Sequence, residues 1–256
     1  MNEFLETCLR AAVKAGDFAR RRKGRIREIS YKGAINLVTD VDKDCEEIIV
    51  SAIRKKFPSH GILSEENYSE VKPAEFRWIV DPIDGTTNFS RGVPIYSVSV
   101  ALEHSGRIVA GVIYDPERKE LFSAAEGGGS FMNRKRIRVS ATGRLKRAFL
   151  VTGFAYNARR TSAGNMGYFG TFLKRALAVR RLGSAALDMA YVACGRFDGF
   201  WEMDLHPWDS AAGALIVEEA GGKVTAYDGT CYSPFNDTLL STNSRIHGQM
   251  MKILSG

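Results

Sequence analysis

Cysteine is scarce and unpaired in this sequence. The four cysteines, Cys8, Cys45, Cys194 and Cys231, stand far apart. None shares a C-x-x-C spacing, which excludes a zinc knuckle and a dithiol redox motif. Each lies in or near an apolar stretch and reads as a small buried hydrophobe. Histidine is equally sparse. His60, His104, His206 and His247 are scattered and no H-x-x-x-H occurs, so a histidine-built zinc site is not expected. Long apolar runs are missing too. Val109 to Tyr114 and Ala211 to Val217 are among the longest, against the roughly 20 residues of a membrane span. Glu3, Glu6 and Arg10, with no apolar segment beside them, argue against a signal peptide. A cytoplasmic protein with no membrane partner is the expectation. No Walker A and no G-x-S-x-G motif is present, which weighs against an NTPase and a serine hydrolase. Gly127-Gly128-Gly129 lacks G-x-G-x-x-G spacing and opens a hairpin, not a helix.

What is present suits a packed globular chain. With 256 residues, 45% hydrophobic and 25% charged, the sequence is neither disordered, collagenous nor a coiled coil. A net charge of +7 favours an acidic partner or substrate: a phosphate ester, nucleic acid or an anionic surface. The basic run Arg20-Arg21-Arg22-Lys23, with Arg25 and Arg27, reads as a solvated helix end. Arg134-Lys135-Arg136, Lys146-Arg147 and Arg159-Arg160 read as exposed hairpin and loop charges. No aromatic residues are interleaved with these runs, as stacking on nucleic acid requires, so nucleic acid is possible but not favoured.

Helical spacing predicts a first helix through Phe4, Leu5, Cys8, Leu9, Ala12 and Ala15, stopped at Gly24. A second runs from about Val41 to Phe57, capped by Thr39 or Asp40 and followed by Pro58. Strands are expected at Gly61–Ser64 and Phe76–Val80, then a meander through Ile95–Glu103, Gly106–Tyr114 and Glu120–Ala125, with a hairpin in Ser130–Val139. The second half mixes types. Gly167–Ala178 is expected to be helical. Ser184–Cys194 is a helix with a serine cap, Phe197–Glu202 a strand, and Pro207–Ala220 a helix with proline in its first turn. Strands and a short tail helix close the chain. The fold class is α+β (mixed α/β).

Acids gather at element boundaries: Asp42, Glu65, Glu66, Asp81, Asp84 and Asp209. The densest piece is Asp81-Pro82-Ile83-Asp84-Gly85-Thr86-Thr87-Asn88-Phe89. Pro82 stiffens the turn between two carboxylates. Asp84 is expected to cap a short helix that opens on the Gly85 and Thr86 amides, a natural phosphate cradle. If the Asp81, Asp84, Glu65 and Asp209 carboxylates converge, each pair at ~4 Å repels by roughly 4 kcal/mol at an effective dielectric near 20. Such a cluster calls for hard cations, and Mg²⁺ shares its carboxylates with substrate phosphate. Trp208 reads as structural, and so does His206, as a hydrogen-bonded histidine.

At these residues the sequence resembles the inositol monophosphatase family of Mg²⁺-dependent, lithium-sensitive phosphomonoesterases. Residues 81–89 match its first signature. Trp208-Asp209-Ser210-Ala211-Ala212-Gly213, running on to Glu218-Glu219-Ala220-Gly221-Gly222, matches the second. Asn36-Leu37-Val38-Thr39-Asp40-Val41-Asp42, Pro58-Ser59-His60, Ser64-Glu65-Glu66 and Gly183-Ser184-Ala185-Ala186 match in order, so the likeness covers nearly the whole chain.

The resemblance implies an α/β/α/β/α layered sandwich of the sugar-phosphatase type. An N-terminal half over residues 1–145 carries the first signature and a C-terminal half over 146–256 carries Asp209, the two read as one compact unit. It implies Glu65, Asp81 and the Ile83 carbonyl as ligands of a first Mg²⁺, and Asp81, Asp84 and Asp209 as ligands of a second. A weaker third ion leans on Glu65. Asp42 and Thr86 orient and deprotonate the attacking water, and Glu65 joins them as a catalytic residue. The Gly85 and Thr86 amides hold the phosphate. Gly183, Ser184, Ala185 and Glu202 meet the polyol, Glu66 supports the site from behind, and Lys32 lies near the attacking water. The implied reaction is hydrolysis of inositol monophosphate by water activated at the cations, in line and without a phosphoenzyme, in a homodimer. Three departures stand out. Asn36 replaces the family's usual acid, Asn67 replaces a small residue, and Arg180-Arg181 precedes Gly183. The arginines could greet a second phosphate. Fructose 1,6-bisphosphate, a nucleotide bisphosphate or histidinol phosphate are therefore alternative substrates, and an RNA- or transcription-complex-binding role is an alternative of another class.

Overall fold

The computed structural model describes residues 3–26, 28–32, 36–68, 74–154 and 164–255. Its helices are α1 (Glu3–Arg22), α2 (Asp40–Lys56), α3 (Thr86–Ser90), α4 (Asn165–Arg175), α5 (Ala185–Ala193), α6 (Pro207–Glu219) and α7 (His247–Leu254). Strands β1 (Ile29–Lys32) and β2 (Asn36–Thr39) form an antiparallel ribbon before α2. A seven-stranded sheet follows in chain order: β3 (Gly61–Ser64), β4 (Phe76–Asp84), β5 (Ser97–His104), β6 (Arg107–Asp115), β7 (Glu120–Ala125), β8 (Gly129–Met132) and β9 (Lys135–Arg136). Only its first pair, β3 and β4, is parallel. The second sheet contains β10 (Phe149–Thr152), β11 (Ala178–Arg180), β12 (Gly199–Met203), β13 (Lys223–Thr225) and β14 (Thr238–Thr242), in the order β11-β10-β12-β14-β13.

These elements stack in five layers. Helices α1 and α2 cover one face of the seven-stranded sheet, and α5 and α6 lie between the two sheets. Helices α4 and α7 cover the far face of the five-stranded sheet. Sequence dictates which helix goes where. On α1 the buried stripe is small, with Cys8, Ala11, Ala12, Ala15 and Ala19, and it packs with Cys45, Ile49 and Ile53 of α2 against Trp78, Val98 and Val100. Its other face is charged, so one apolar stripe suffices. A helix between two sheets has no wet face. All nine residues of α5 are accordingly buried, as are nine of the thirteen in α6. The expected α/β/α/β/α sandwich is the architecture observed.

Several expectations shift. The helix expected over Gly167–Ala178 stops at Arg175, and Ala178–Arg180 leave it to form β11, parallel to β10 at the sheet edge. The ribbon β1–β2 and strand β10 go beyond the strands expected. Cys8 and Cys45 are buried, but Cys194 is half-buried and Cys231 is exposed, so the last is not a core residue. In the basic run Arg20 and Arg21 are exposed, while Arg22 pairs with Asp40 at 2.8 Å and Lys23 with Glu117 at 2.9 Å. Arg134, Lys135, Arg136, Lys146 and Arg147 are exposed as expected. Arg27, Arg159 and Arg160 lie outside the described residues. Among the described residues no helix is long and apolar enough to cross a membrane.

Candidate active site

The site is built around a fault in β4. Asp81 opposes Ser99 on β5 and Asp84 opposes Ser97, so three steps on one strand match two on the other. One extra residue is thus bulged at Pro82-Ile83, where proline has no ladder donor to lose. In a regular strand residues i and i+3 face opposite sides. The bulge cancels that alternation, and both carboxylates reach the same pocket. Asp81 turns back on the bulge, its Oδ1 accepting the Ile83 amide at 3.0 Å.

Helix N-termini supply the remaining acids and hold them. Asp42 is the third residue of α2, where its Oδ2 accepts the Thr39 amide at 3.0 Å and the Thr39 hydroxyl, closing a capping box. Asp209 is the third residue of α6 and accepts the His206 amide at 2.7 Å. Asp84 does not cap α3 as expected. The residue before α3 is Gly85, at φ 97°, with no side-chain cap. Asp84 instead reaches across the molecule to α5, accepting the Ser184 hydroxyl at 2.6 Å and the Ala186 and Ala185 amides at 2.8 and 3.3 Å. The positive end of α5 is therefore spent on a carboxylate. Gly85 cannot be another residue, because a Cβ there would lie 3.0 Å from the Ile95 carbonyl and 3.1 Å from that of Gly183. Asn88 ties the same pieces, donating to Ile95 and Leu182 carbonyls at 2.9 and 2.8 Å.

One carboxylate oxygen from each of Asp81, Asp84 and Asp209 lies within 4.8 Å of the others. Ligand oxygens of a single Mg²⁺, with bonds of about 2.1 Å, lie at most about 4.2 Å apart. The trio therefore stands within a small adjustment of closing on an ion, and its all-oxygen donors suit a hard cation. Among the described residues it is the one such cluster of acids, cysteines or histidines. Glu65 lines the same cavity outside the trio. The electrostatics agree. Burial first, and then the charges of Glu65, Asp84, Asp209 and Asp42, push the Asp81 carboxyl well above the usual range. Burial lifts Asp84 to about 6 against its hydrogen bonds, and burial with the Asp84 charge lifts Asp209 to about 7. Bare, the acids hold protons they would surrender to a cation.

Thr86 opens α3 with its hydroxyl 3.0 Å from Asp42 Oδ1 and 3.0 Å from the Ile83 carbonyl oxygen. One hydroxyl proton thus faces two acceptors. Burial raises the Asp42 carboxyl to about 6, which poises it to exchange a proton near neutrality.

The cavity has a volume of about 410 Å³, and beside the trio its lining continues onto α5 and β12. Gly183, Ser184, Ala185 and Glu202 line it, joined by Asp188, Arg181 and Gly153. Glu202 lies so close to Gly153 that a Cβ there would meet its carboxylate at 2.1 Å. Arg180 is not among the lining residues. Its guanidinium lies 5.0 Å over the Phe149 ring, so only Arg181 of the pair faces the cavity. His206 is exposed at the rim and stacks on Trp208 at 4.9 Å, so the expected structural histidine borders the cavity. The side chain of Lys32 lies outside the described residues.

Sequence reading missed one residue behind the acids. Glu46 is 1% exposed and one turn beyond Asp42 on α2. It accepts the Ser64 hydroxyl, the Glu66 and Asn67 amides at 3.1 and 3.2 Å, and the Asn67 side-chain amide. This carboxylate fixes the turn that carries Glu65, and it gives Asn67 a partner. The i, i+4 spacing from Asp42 was the available signal.

Comparison with known proteins points the same way. The arrangement is a set of hard-cation ligands beside helix N-termini, the chemistry of a metal-assisted phosphate site. The model of the inositol monophosphatase family matches residues 1–255. An inositol-1-monophosphatase of Mesorhizobium japonicum is 43% identical over 97% of this chain and 94% of its own. The Nus factor SuhB of Escherichia coli is 40% identical over 98% of this chain and 95% of its own. The structure of an inositol monophosphatase from Anabaena superposes with a TM-score of 0.89 at 41% identity, covering 98% of this chain and 95% of that one. The chain belongs to the inositol monophosphatase family, which supports a metal-dependent phosphatase activity.

Proposed function

We propose that this protein hydrolyses inositol monophosphate to inositol and phosphate, with Mg²⁺ as its cation. The observation that carries the reading is the convergence of Asp81, Asp84 and Asp209 within 4.8 Å at the head of a cavity whose far end is polar. Glu65, Asp81 and the Ile83 carbonyl hold one ion, Asp81, Asp84 and Asp209 a second, and Glu65 shares in a weaker third. When bound, the cations neutralise the phosphate and the charge that develops on the leaving oxygen. The chain does the rest. The Gly85 and Thr86 amides, at the entry to α3, hold phosphate oxygens. The Thr86 hydroxyl orients the attacking water and passes a proton toward Asp42 Oδ1, 3.0 Å away. Glu66, on the turn that Glu46 anchors, supports Glu65 from behind. Gly183, Ser184, Ala185 and Glu202 face the polyol.

Phosphate release from inositol 1-phosphate, fructose 1,6-bisphosphate, a nucleotide bisphosphate and histidinol phosphate, with Mg²⁺ and again with Li⁺, tests this. Fastest Mg²⁺-dependent turnover on inositol 1-phosphate, suppressed by Li⁺, is expected. Release that survives chelation of all divalent ions would sink the reading. Arg181 at the far end favours one second reading, a bisphosphate substrate. On that reading Arg181→Ala slows bisphosphate hydrolysis far more than monophosphate hydrolysis, and equal slowing removes it. Relatives named as Nus factors motivate a role in transcription complexes. Its mark is a salt-sensitive shift of RNA that persists in Asp84→Asn.

A further inference from the structure

One group at the far end of the cavity has no task in the mechanism above. Asp188 is the sole charged residue of α5, whose sequence is otherwise Ala185-Ala186-Leu187, then Met189-Ala190-Tyr191-Val192-Ala193. It is 1% exposed, and neither carboxyl oxygen has a hydrogen-bond partner among the described residues. Every neighbour on the helix is apolar or aromatic and fully packed, so an apolar side chain of the same size would fill the position. A buried carboxyl left unpaired costs free energy that such a side chain would not. The acid nonetheless forms part of the cavity lining, where the charges of Glu202 and Arg181 act on it.

We propose that Asp188 is a specificity-determining residue, hydrogen-bonding a hydroxyl of the substrate's leaving group that no protein group replaces. The inference rests on the phosphatase reading and deepens it, because it names polyhydroxylated leaving groups as the class the far end selects. Glu202 and Asp204 line the cavity beside it. Burial, with the charges of Glu202 and Asp84 against that of Arg181, holds the Asp188 carboxyl well above the usual range. That direction favours the protonated carboxyl, which would present a donor and an acceptor side by side. A polyol hydroxyl is the complementary ligand, being both at once.

The test compares two esters in the presence of Mg²⁺: inositol 1-phosphate, and 4-nitrophenyl phosphate, whose leaving group carries no further hydroxyl. Asp188→Leu is expected to lower the ratio of their kcat/KM values at least about tenfold, the discrimination one buried hydrogen bond gives. Asp188→Asn, which keeps a donor and an acceptor, restores most of the ratio. The Asp188→Leu protein is expected to melt no lower than the parent, because an unpaired polar group has been removed from the interior. Equal loss on both esters, a Leu variant that melts lower or fails to fold, or an Asn variant no better than Leu would each overturn the proposal and make Asp188 structural. A parent protein inactive on both esters would instead sink the phosphatase reading, and this inference with it.

Discussion

The two ends of the cavity are built on opposite terms. At the acid end the fold has largely finished its own work. Asp42 and Asp84 each accept three hydrogen bonds, and Asp81 and Asp209 each accept a backbone amide. At the far end the Asp188 carboxyl has no partner among the described residues and Glu202 presses on the bare backbone of Gly153. Both ends are acidic and buried. The difference is that the first has its geometry fixed before anything binds, as charge stabilisation requires, while the second leaves polar groups to be completed by a ligand, as discrimination requires. Breaking the first should abolish turnover on every ester. Breaking the second should change which ester is preferred.

The largest expected effect comes from the trio. Asp209→Ala removes an acid at the head of α6 and should cut Mg²⁺-dependent turnover about a thousandfold on polyol and aryl esters alike, since cation stabilisation is worth several kcal/mol. Steady-state rates on both esters check it, and a loss confined to one would dissolve the distinction between the ends. Next is the proton path. Thr86→Ala should slow kcat about a hundredfold with little change in KM, the ordinary worth of a positioned proton acceptor. A variant that loses KM and keeps kcat would move Thr86 from water orientation to substrate binding.

How far the sequence discloses this differs along the chain. Helices α2, α5 and α6 are legible because their caps are local: Thr39 before α2, Ser184 before α5, Pro207 at the start of α6. The five layers follow from the resemblance, and the burial of α5 and α6 on every side explains their apolar sequences. The acids are legible as residues but not as an arrangement. That Asp84 caps α5, a hundred positions away, is a tertiary fact, and local reasoning assigned it to the nearest helix, α3. The bulge at Pro82-Ile83 is hidden likewise, because register is set by the partner strand. Strands β10 and β11 are only four and three residues long, too short for a period to show. Asp188 is one acid in an apolar helix, which a pattern of faces averages away, while Glu46 shares the buried face of α2 with Asp42.

A smaller effect follows from the protons the acid end retains. Asp42, Asp84 and Asp209 sit at about 6, 6 and 7 against an ordinary 3.8. In that window the folded chain binds more protons than the unfolded one, so stability declines as pH rises from about 4 to about 7. Metal-free protein should therefore lose several degrees of melting temperature between those values. Millimolar Mg²⁺ should return them at the upper pH and do little at the lower, where protons occupy its ligands. A flat profile without metal would mean that the acid end is not under charge strain, and the contrast with the far end would lose its electrostatic basis.

The smallest effect tests whether the acid end depends on the support behind it. Glu46→Gln keeps the side chain's size and, with its oxygen on the Ser64 hydroxyl and the Glu66 and Asn67 amides, turns the other acceptor into a donor facing the Asn67 side-chain amide. The turn carrying Glu65 should loosen. Because Glu65 lies outside the trio, the site should keep the ion the trio holds and lose grip on those that need Glu65. The expected outcome is about a tenfold rise in the Mg²⁺ concentration needed for half-maximal rate, within the range seen when a ligand's outer support is removed, with kcat at saturating Mg²⁺ nearly preserved. The same titration on 4-nitrophenyl phosphate should shift equally, since Glu46 serves only the acid end. A shift seen on inositol 1-phosphate alone would tie Glu46 to leaving-group recognition and join the two ends into one network.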